Sequence, residues 1–205
     1  MVGVTDPRRT AILLSGGMDS IALAHWKRPE FGITIDYGQI PARGELEAAS
    51  AASRELGLVH DVVSIDCRSI GSGDLAGSAA LAAAPASEWW PYRNQLLLTI
   101  AASRALAIGA SRLLIGTVAS DRFHADGRPE FLTLMADILR LQEGEIELEA
   151  PAAAMSSAEL VRVSGVPIEI LAWSHSCHTS SLACGRCRGC TKHFEVMQEL
   201  GIGPY

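Results

Sequence analysis

The chain has 205 residues, of which 17 are Lys or Arg and 23 are Asp or Glu, so its formal net charge is −6. This length suits one domain with a small appendage, and a hydrophobic content of 48% excludes a disordered chain. The acidic balance argues against general nucleic-acid binding, which depends on clustered Lys and Arg, and no apolar run approaches the roughly 18–20 residues of a membrane helix.

The predicted elements alternate between strand and helix along the chain. Apolar or valine-rich runs predict strands at residues 10–14, 31–36, 59–65 and 112–116, and alternation of Glu with Ile and Leu predicts a half-exposed strand at 145–149. Helical patterns follow, with a first helix ending near residue 26 and others at residues 42–56, 94–107, 129–142, 156–163 and 191–200. This alternation predicts an α/β fold, a parallel sheet with helices on both faces.

Two segments depart from this regular pattern. Residues 67–92 carry no periodicity and predict a long functional loop, closed by the aromatic run 89–92. The helix predicted at 94–107 is apolar on nearly all sides, which predicts burial between layers.

Polar motifs follow three of the predicted strands, at residues 15–20, 36–39 and 116–121. The carboxyl ends of parallel strands are where α/β folds bind their ligands. The three motifs are therefore predicted to meet in one site.

The first of these motifs is the phosphate loop, defined here as residues 14–20. A glycine pair allows a tight turn, and the helix that follows offers free N–H groups and a positive dipole end to an anion. Neither a Walker A motif nor a GxGxxG fingerprint is present, and Asp19 beside an anion indicates a cation such as Mg²⁺ or a role in orienting the loop. The predicted ATP-binding residues are Leu14, Ser15, Gly16, Gly17, Met18, Asp19, Ser20 and, after the fourth strand, Gly116.

Four of the five cysteines lie close together near the end of the sequence. Cys177, Cys184, Cys187 and Cys190 have the spacing C-x6-C-x2-C-x2-C, which can close a tetrahedron around a structural Zn²⁺. An iron–sulfur cluster is the alternative. Disulfides need an oxidising compartment, whereas the N-terminal residues lack the apolar stretch of a signal peptide, so we expect a cytoplasmic protein. Cys67 stands alone and is predicted to be a small buried side chain.

The string SGGMDS at residues 15–20 resembles the pyrophosphate loop of the ATP pyrophosphatases (PP-loop proteins). Together with the cysteine group, the chain resembles the 7-cyano-7-deazaguanine synthase (QueC) family over nearly its whole length. Further matching segments are Asp36-Tyr37-Gly38-Gln39, Arg93-Asn94, Gly116 with Asp121, and the run at residues 126–131.

The resemblance implies an adenine-nucleotide α-hydrolase-like fold, with an ATP-binding domain at residues 1–172, a zinc-binding segment at 173–205 and a homodimer. It implies that ATP with Mg²⁺ adenylates the carboxylate of 7-carboxy-7-deazaguanine, that ammonia gives the amide, and that a second ATP drives formation of the nitrile. The residues assigned to catalysis are Asp19, Arg93, Asp121 and Arg128. Those assigned to the substrate are Tyr37, Gln39, Asn94 and Asp126.

Four departures from the family pattern surround the predicted site. Ile40-Pro41 stands where the family has Arg-His, Gly127 where it has Cys, Ser157 where it has Lys, and His178 where it has Tyr. Two other functions therefore stay open: a diverged ligase that joins a carboxylate to another amine and stops at the amide, and a non-catalytic ATP-binding subunit. A PP-loop sulfurtransferase acting on tRNA is disfavoured by the net charge of −6.

Overall fold

The computed structural model describes residues 9–203, in which five parallel strands form one sheet of order β3-β2-β1-β4-β5. Each strand forms within one of the five predicted strand segments. The strands are β1 Thr10–Leu13, β2 Phe31–Asp36, β3 Val59–Ser64, β4 Arg112–Ile115 and β5 Glu147–Glu149.

Eight helices connect and follow the strands within the described residues. They are α1 Met18–Lys27, α2 Ala42–Leu56, α3 Gly73–Ala76, α4 Arg93–Ala107, α5 Pro129–Arg140, α6 Ser157–Ser164, α7 Ile168–Leu171 and α8 Arg188–Glu199. The six predicted helices are present, and the four-residue α3 and α7 are additional. Helix α8 begins earlier than predicted because Cys187 caps its N-terminus, its Sγ accepting a hydrogen bond from the N–H of Cys190.

The sheet has a hydrophobic core on each face, which confirms the predicted α/β architecture. Adjacent strand residues point to opposite faces, so Leu113 enters the core beneath α4 and α5 whereas Leu114 enters the core shared by α1, α2, α6 and α8. In the second core, Val196 and Met197 of α8 pack with residues of α1 and α6. The division of the chain after residue 172 stays a prediction.

Helix α4 corrects one expectation. It is not buried between layers, because only Leu98, Ala101, Ala102 and Ala105 are buried, and Arg104 on the opposite side forms an ion pair with Asp61. Alanine and leucine are common on exposed helix faces, so an apolar composition alone does not establish burial on all sides.

The loop between β3 and α4 is anchored to the core by aromatic packing. Trp90 is 1% exposed, and its ring lies 4.9 Å from that of Tyr37 in an edge-to-face arrangement. The loop also holds α3, and Cys67 at its start is buried as predicted. Trp90 is therefore a core residue.

The strand order places the candidate site. The chain leaves β1 for β2 on one side and later adds β4 on the other, and this reversal opens a crevice at the carboxyl ends of β1 and β4. None of the helices within residues 9–203 has the length and apolar character needed to cross a membrane.

Candidate functional site

A cavity of about 290 Å³ lies at the carboxyl ends of β1, β2 and β4. Residues 173–203 carry the four cysteines and include α8. This part of the chain, called the cysteine segment below, closes the cavity from the opposite side. Of the residues predicted from the sequence, those that line it are Leu14, Ser15, Gly17, Met18, Asp19, Ser20, Tyr37, Arg93, Asn94, Gly116, Asp121 and Asp126.

The phosphate loop turns directly from β1 into α1. Gly17 is the N-cap of α1, and no side chain within the described residues caps this helix, so the N–H groups of its first turn are available to an anion. Two serines flank the turn: Ser15 Oγ lies 3.2 Å from Ser20 Oγ, and Ser20 Oγ donates to the carbonyl of Gly17. The loop is thus built to bind phosphate.

Gly16 shapes the loop from behind the cavity and does not line it. Its φ of +76° lies in the left-handed region, and a Cβ atom there would stand 2.5 Å from the carbonyl oxygen of Glu45. The N–H of His175 donates to the Gly16 carbonyl at 2.9 Å. Gly16 therefore joins the phosphate loop both to α2 and to the cysteine segment.

Two carboxylates and an ammonium group meet beside the phosphate loop. Lys192 Nζ lies 2.9 Å from Asp19 Oδ2 and 3.6 Å from Asp121 Oδ1. Burial alone lowers the pKa of Lys192, but the two carboxylates raise it by more, so the amine is charged. Asp19 Oδ1 is buried and has no hydrogen-bond partner within residues 9–203. An oxygen left without a partner next to a second carboxylate fits the ligand set that Mg²⁺ prefers.

Arg93 provides a second cation deeper in the cavity. Burial lowers its pKa, but its interactions with Tyr37, Asp126 and Glu45 raise the value overall. Burial raises the pKa of the Tyr37 hydroxyl, so this ring is a neutral hydrogen-bonding group. Burial also raises the pKa of Glu45 to about 7.

The pKa of Glu45 predicts a dependence of stability on pH. Its folded-state pKa of about 7 exceeds the ordinary value of 4.5, so the free energy of unfolding falls as pH rises through this interval. Glu45→Gln should therefore leave stability unchanged near pH 4 and raise it by up to about 3 kcal/mol at pH 8.

Urea unfolding at the two pH values measures this difference. Glu47→Gln is the matched control, since Glu47 lies on the same helix with a side chain 64% exposed. Equal effects of Glu45→Gln at both pH values would show that the carboxyl titrates normally.

Asn94 and Asp126 form a pair at the start of α4. The N–H of Asn94 donates to Asp126 Oδ2 at 3.1 Å, and its side-chain amide donates to the Asp126 carbonyl at 3.0 Å. Both residues line the cavity, and each fixes the other's orientation.

Four histidines that were not predicted to bind a ligand also line the cavity: His124, His175, His178 and His193. Burial, with Arg93 adding to it, lowers the pKa of His178 to about 4, so this ring is neutral near pH 7. His124 Nε2 lies 3.2 Å from the buried carboxylate of Glu88, which also accepts from Arg188 at 2.8 Å. Lys192 was missed as well, because a lysine beside a cysteine motif carries no recognisable pattern.

Besides Gly16, two residues predicted to bind ligand or take part in catalysis lie outside the cavity. Gln39 is buried, accepts from the N–H of Tyr37 and donates to Glu45 Oε2 at 2.7 Å, so it supports the turn after β2 and does not face a ligand. Arg128 is exposed and donates to the carbonyl of Arg122. The structure thus does not place either side chain where the sequence analysis expected it.

The departures from the family pattern do not all lie in the cavity. Ser157 and His178 line it, whereas Ile40 is 47% exposed and is not among the cavity residues. Ile40 and Pro41 are therefore not part of the described cavity wall.

The four cysteines of the C-terminal segment converge on one point. Their Sγ atoms all lie within 4.8 Å of one another, with Cys177–Cys187 and Cys184–Cys190 at 3.9 Å. Disulfide sulfurs are only about 2.05 Å apart, whereas four sulfurs each about 2.3 Å from one zinc ion are about 3.8 Å apart. Backbone N–H groups donate to Cys184 Sγ and Cys187 Sγ at 3.3 Å, which favours thiolates. This is a metal-binding group.

A parallel sheet in this order, a glycine turn at the first helix and facing carboxylates define a nucleotide-binding α/β protein of the PP-loop class. The family model described as "Queuosine biosynthesis protein QueC" matches residues 9–201. The chain belongs to the QueC family.

Curated relatives resemble the chain over nearly its whole length. The 7-cyano-7-deazaguanine synthase of Chromobacterium violaceum is 30% identical, with 95% of this chain and 91% of the relative covered. The synthase of the same name from Trichodesmium erythraeum is 31% identical, with 95% and 97% covered.

Two solved structures share the fold at 15% sequence identity. NMN synthetase from Francisella tularensis has a TM-score of 0.54, covering 98% of this chain and 80% of its own. The U34-tRNA thiolase NcsA from Methanococcus maripaludis, solved with its [4Fe-4S] cluster, has a TM-score of 0.50, and the match spans 93% of this chain and 64% of that one.

Proposed function

We propose that this protein is an ATP-dependent ligase that adenylates the carboxylate of 7-carboxy-7-deazaguanine and converts it, with ammonia, to the amide and then to the nitrile. The observation that carries the proposal is the phosphate loop at the N-terminus of α1, whose Asp19 shares one cavity with Asp121. Membership of the QueC family and relatives named as 7-cyano-7-deazaguanine synthases support the choice of reaction.

The chemistry needs an activated carboxylate, because a carboxylate cannot expel oxide. Attack of the substrate oxygen on the α-phosphate of ATP forms the adenylate and releases pyrophosphate. The N–H groups of the phosphate loop stabilise the charge on the phosphates, and Asp19 and Asp121 are the residues that would hold Mg²⁺. The metal, when bound, shields phosphate charge.

The substrate occupies the deeper part of the cavity in this proposal. Arg93 neutralises its carboxylate by forked hydrogen bonds, while Tyr37, Asn94 and Asp126 offer polar contacts to the purine-like edge. Ammonia then attacks the adenylate to give the amide and AMP, and a second ATP activates the amide oxygen for dehydration.

Zinc is the metal we propose for the cysteine group. Sulfurs this close together suit four ligands around one ion, whereas each cysteine of a four-iron cluster binds its own iron. Four protein ligands leave no open position, so the ion is structural. Elemental analysis should give about one zinc per chain, and bound iron would contradict the assignment.

The partners we propose are a small-molecule substrate and a second copy of the chain. A net charge of −6 supports a small-molecule substrate and no nucleic acid. A homodimer stays a prediction that the molar mass in solution checks.

One reaction tests the function: purified protein, Mg-ATP, 7-carboxy-7-deazaguanine and ammonium, followed by mass spectrometry. The expected products are the nitrile, AMP and pyrophosphate. Amide that never becomes nitrile would show the diverged ligase, and ATP binding without AMP release for any carboxylate offered would show a binding subunit. Omission of the deazaguanine is the control, since AMP formed without it reports uncoupled hydrolysis.

A further inference from the structure

We propose that Lys192 provides the phosphate-binding cation of this cavity. Ser157 on helix α6, where the resemblance implies a lysine, carries no charge. The inference deepens the proposed function, since it names a further residue of the same site. It is carried by the position of the Lys192 ammonium group at the first turn of α1.

The contacts of Lys192 place its charge beside the phosphate loop. Its Nζ lies 2.9 Å from Asp19 Oδ2, and Asp19 belongs to the first turn of α1, the end of the helix that binds anions. It also lies 3.6 Å from Asp121 Oδ1 across the cavity. A phosphate group seated on the loop would therefore lie next to this ammonium group.

The charges of the cavity require such a cation. Among its described residues the acidic side chains are Asp19, Asp121, Asp126 and Glu45, and the only Lys or Arg side chains are Arg93 and Lys192. Arg93 lies deeper in the cavity, where its charge interacts with Tyr37, Asp126 and Glu45, and the proposed function assigns it to the substrate carboxylate. Without Lys192, the two carboxylates beside the loop would face the phosphates with no neutralising protein group.

A second position from which a cationic side chain could enter the cavity lies on the neighbouring helix α6. Ser157, where the resemblance predicts a lysine, lines the same cavity, and its Oγ is buried with no hydrogen-bond partner within residues 9–203. Helices α6 and α8 pack against each other. One cationic group can therefore reach this cavity from either helix, and in this chain it comes from α8.

The cysteine group fixes the position of Lys192. Lys192 follows the metal ligand Cys190 by two residues, in the first turns of α8, and Cys187 caps that helix. A long flexible lysine side chain thus starts from a rigid base, which limits the freedom that phosphate binding must remove.

Lys192→Gln tests the proposal with ligands that do not depend on the deazaguanine reaction. Calorimetry is done with inorganic pyrophosphate, Mg-ATP and adenosine on the full chain. Loss of a charge-assisted hydrogen bond to phosphate should weaken the binding of pyrophosphate and Mg-ATP by about 10- to 100-fold and leave adenosine unchanged. Lys192→Arg should retain most of the affinity.

The compensating variant makes the test specific. Ser157→Lys combined with Lys192→Gln should restore pyrophosphate affinity to within about threefold of the wild type, because the cation returns from α6. The control is Lys27→Met, whose lysine lies at the far end of α1 over the ring of Trp26 and should leave all three affinities unchanged.

Unaltered pyrophosphate affinity in folded Lys192→Gln would overturn the proposal. An equal loss of affinity for pyrophosphate and for adenosine would also overturn it, because it would indicate a structural role for Lys192. Thermal unfolding checks the fold of each variant, and if Lys192→Gln is unfolded, Lys192→Arg and the double variant decide by the same criteria. Failure of the deazaguanine reaction with normal pyrophosphate binding would overturn the proposed function alone.

Discussion

Cys187→Ser is expected to abolish metal binding and, with it, ATP-dependent activity. Serine is a favoured N-cap residue, so the variant keeps the hydrogen bond that caps α8 and removes one of the four ligands only. Three remaining thiolates cannot close the tetrahedron, and structural zinc contributes on the order of 10 kcal/mol to small metal-bound segments. The segment that forms one wall of the cavity should lose its order.

Loss of order in the cysteine segment would also affect the phosphate loop, because two contacts join them. His175, two residues before Cys177, donates its N–H to the Gly16 carbonyl, and Lys192, two residues after Cys190, pairs with Asp19. Release of the cysteine segment breaks both. We therefore expect loss of metal and loss of ATP-dependent activity to occur together, although none of the four cysteines lines the cavity.

Elemental analysis and AMP release measure the two effects. Cys67→Ala is the matched control, because Cys67 is buried but lies outside the metal group, and this variant should keep its metal and its activity. A Cys187→Ser protein with a full complement of metal and normal activity would show that three cysteines suffice and that the fourth is dispensable.

Gly16→Ala is expected to remove ATP binding while leaving most of the fold intact. The left-handed backbone at φ +76° costs an alanine about 1–2 kcal/mol, and its Cβ would stand 2.5 Å from the Glu45 carbonyl and 3.0 Å from the Ala48 Cβ. The backbone of α2 cannot move aside as the end of a flexible side chain can. The loop must therefore move away from α2, which displaces the N–H groups that bind phosphate.

Gly57→Ala separates backbone strain from this clash. Gly57 ends α2 with φ +70°, and nothing lies within 4 Å of its hypothetical Cβ. Both variants should lose about 1–2 kcal/mol of stability from strain, but only Gly16→Ala should weaken Mg-ATP binding, by about 100-fold or more if two loop hydrogen bonds are lost. Equal affinities in calorimetry would show that the loop adapts without moving its N–H groups.

The sheet could be predicted from the sequence because its inner strands β1, β2 and β4 are apolar runs ending in polar or glycine residues, whereas the edge strand β5 alternates between glutamate and apolar residues. Buried parallel strands need such runs, and the strand 31–36 was predicted with its observed bounds. The phosphate loop was predictable for the same reason: its glycines and serines must follow the first strand directly. Cysteine spacing likewise placed the metal group without knowledge of the fold.

The remaining part of the site depends on contacts between distant segments. Gln39 lies in a motif that matches the family, yet its side chain turns inward to Glu45, which a motif cannot show. Arg128 lies near the site in sequence but donates to a neighbouring carbonyl outside the cavity. Lys192 enters from α8, and its relation to Asp19 is created only when the chain folds.

The ion pair between Asp19 and Lys192 joins residues 173 positions apart. During synthesis, the ribosome makes the phosphate loop well before residues 188–199 of α8. A nascent chain that has completed the sheet therefore still lacks the wall that carries Lys192. Assembly of the site is thus coupled to the synthesis of α8 and to metal loading, so that a chain synthesised only as far as the sheet has no finished site in which to hydrolyse ATP.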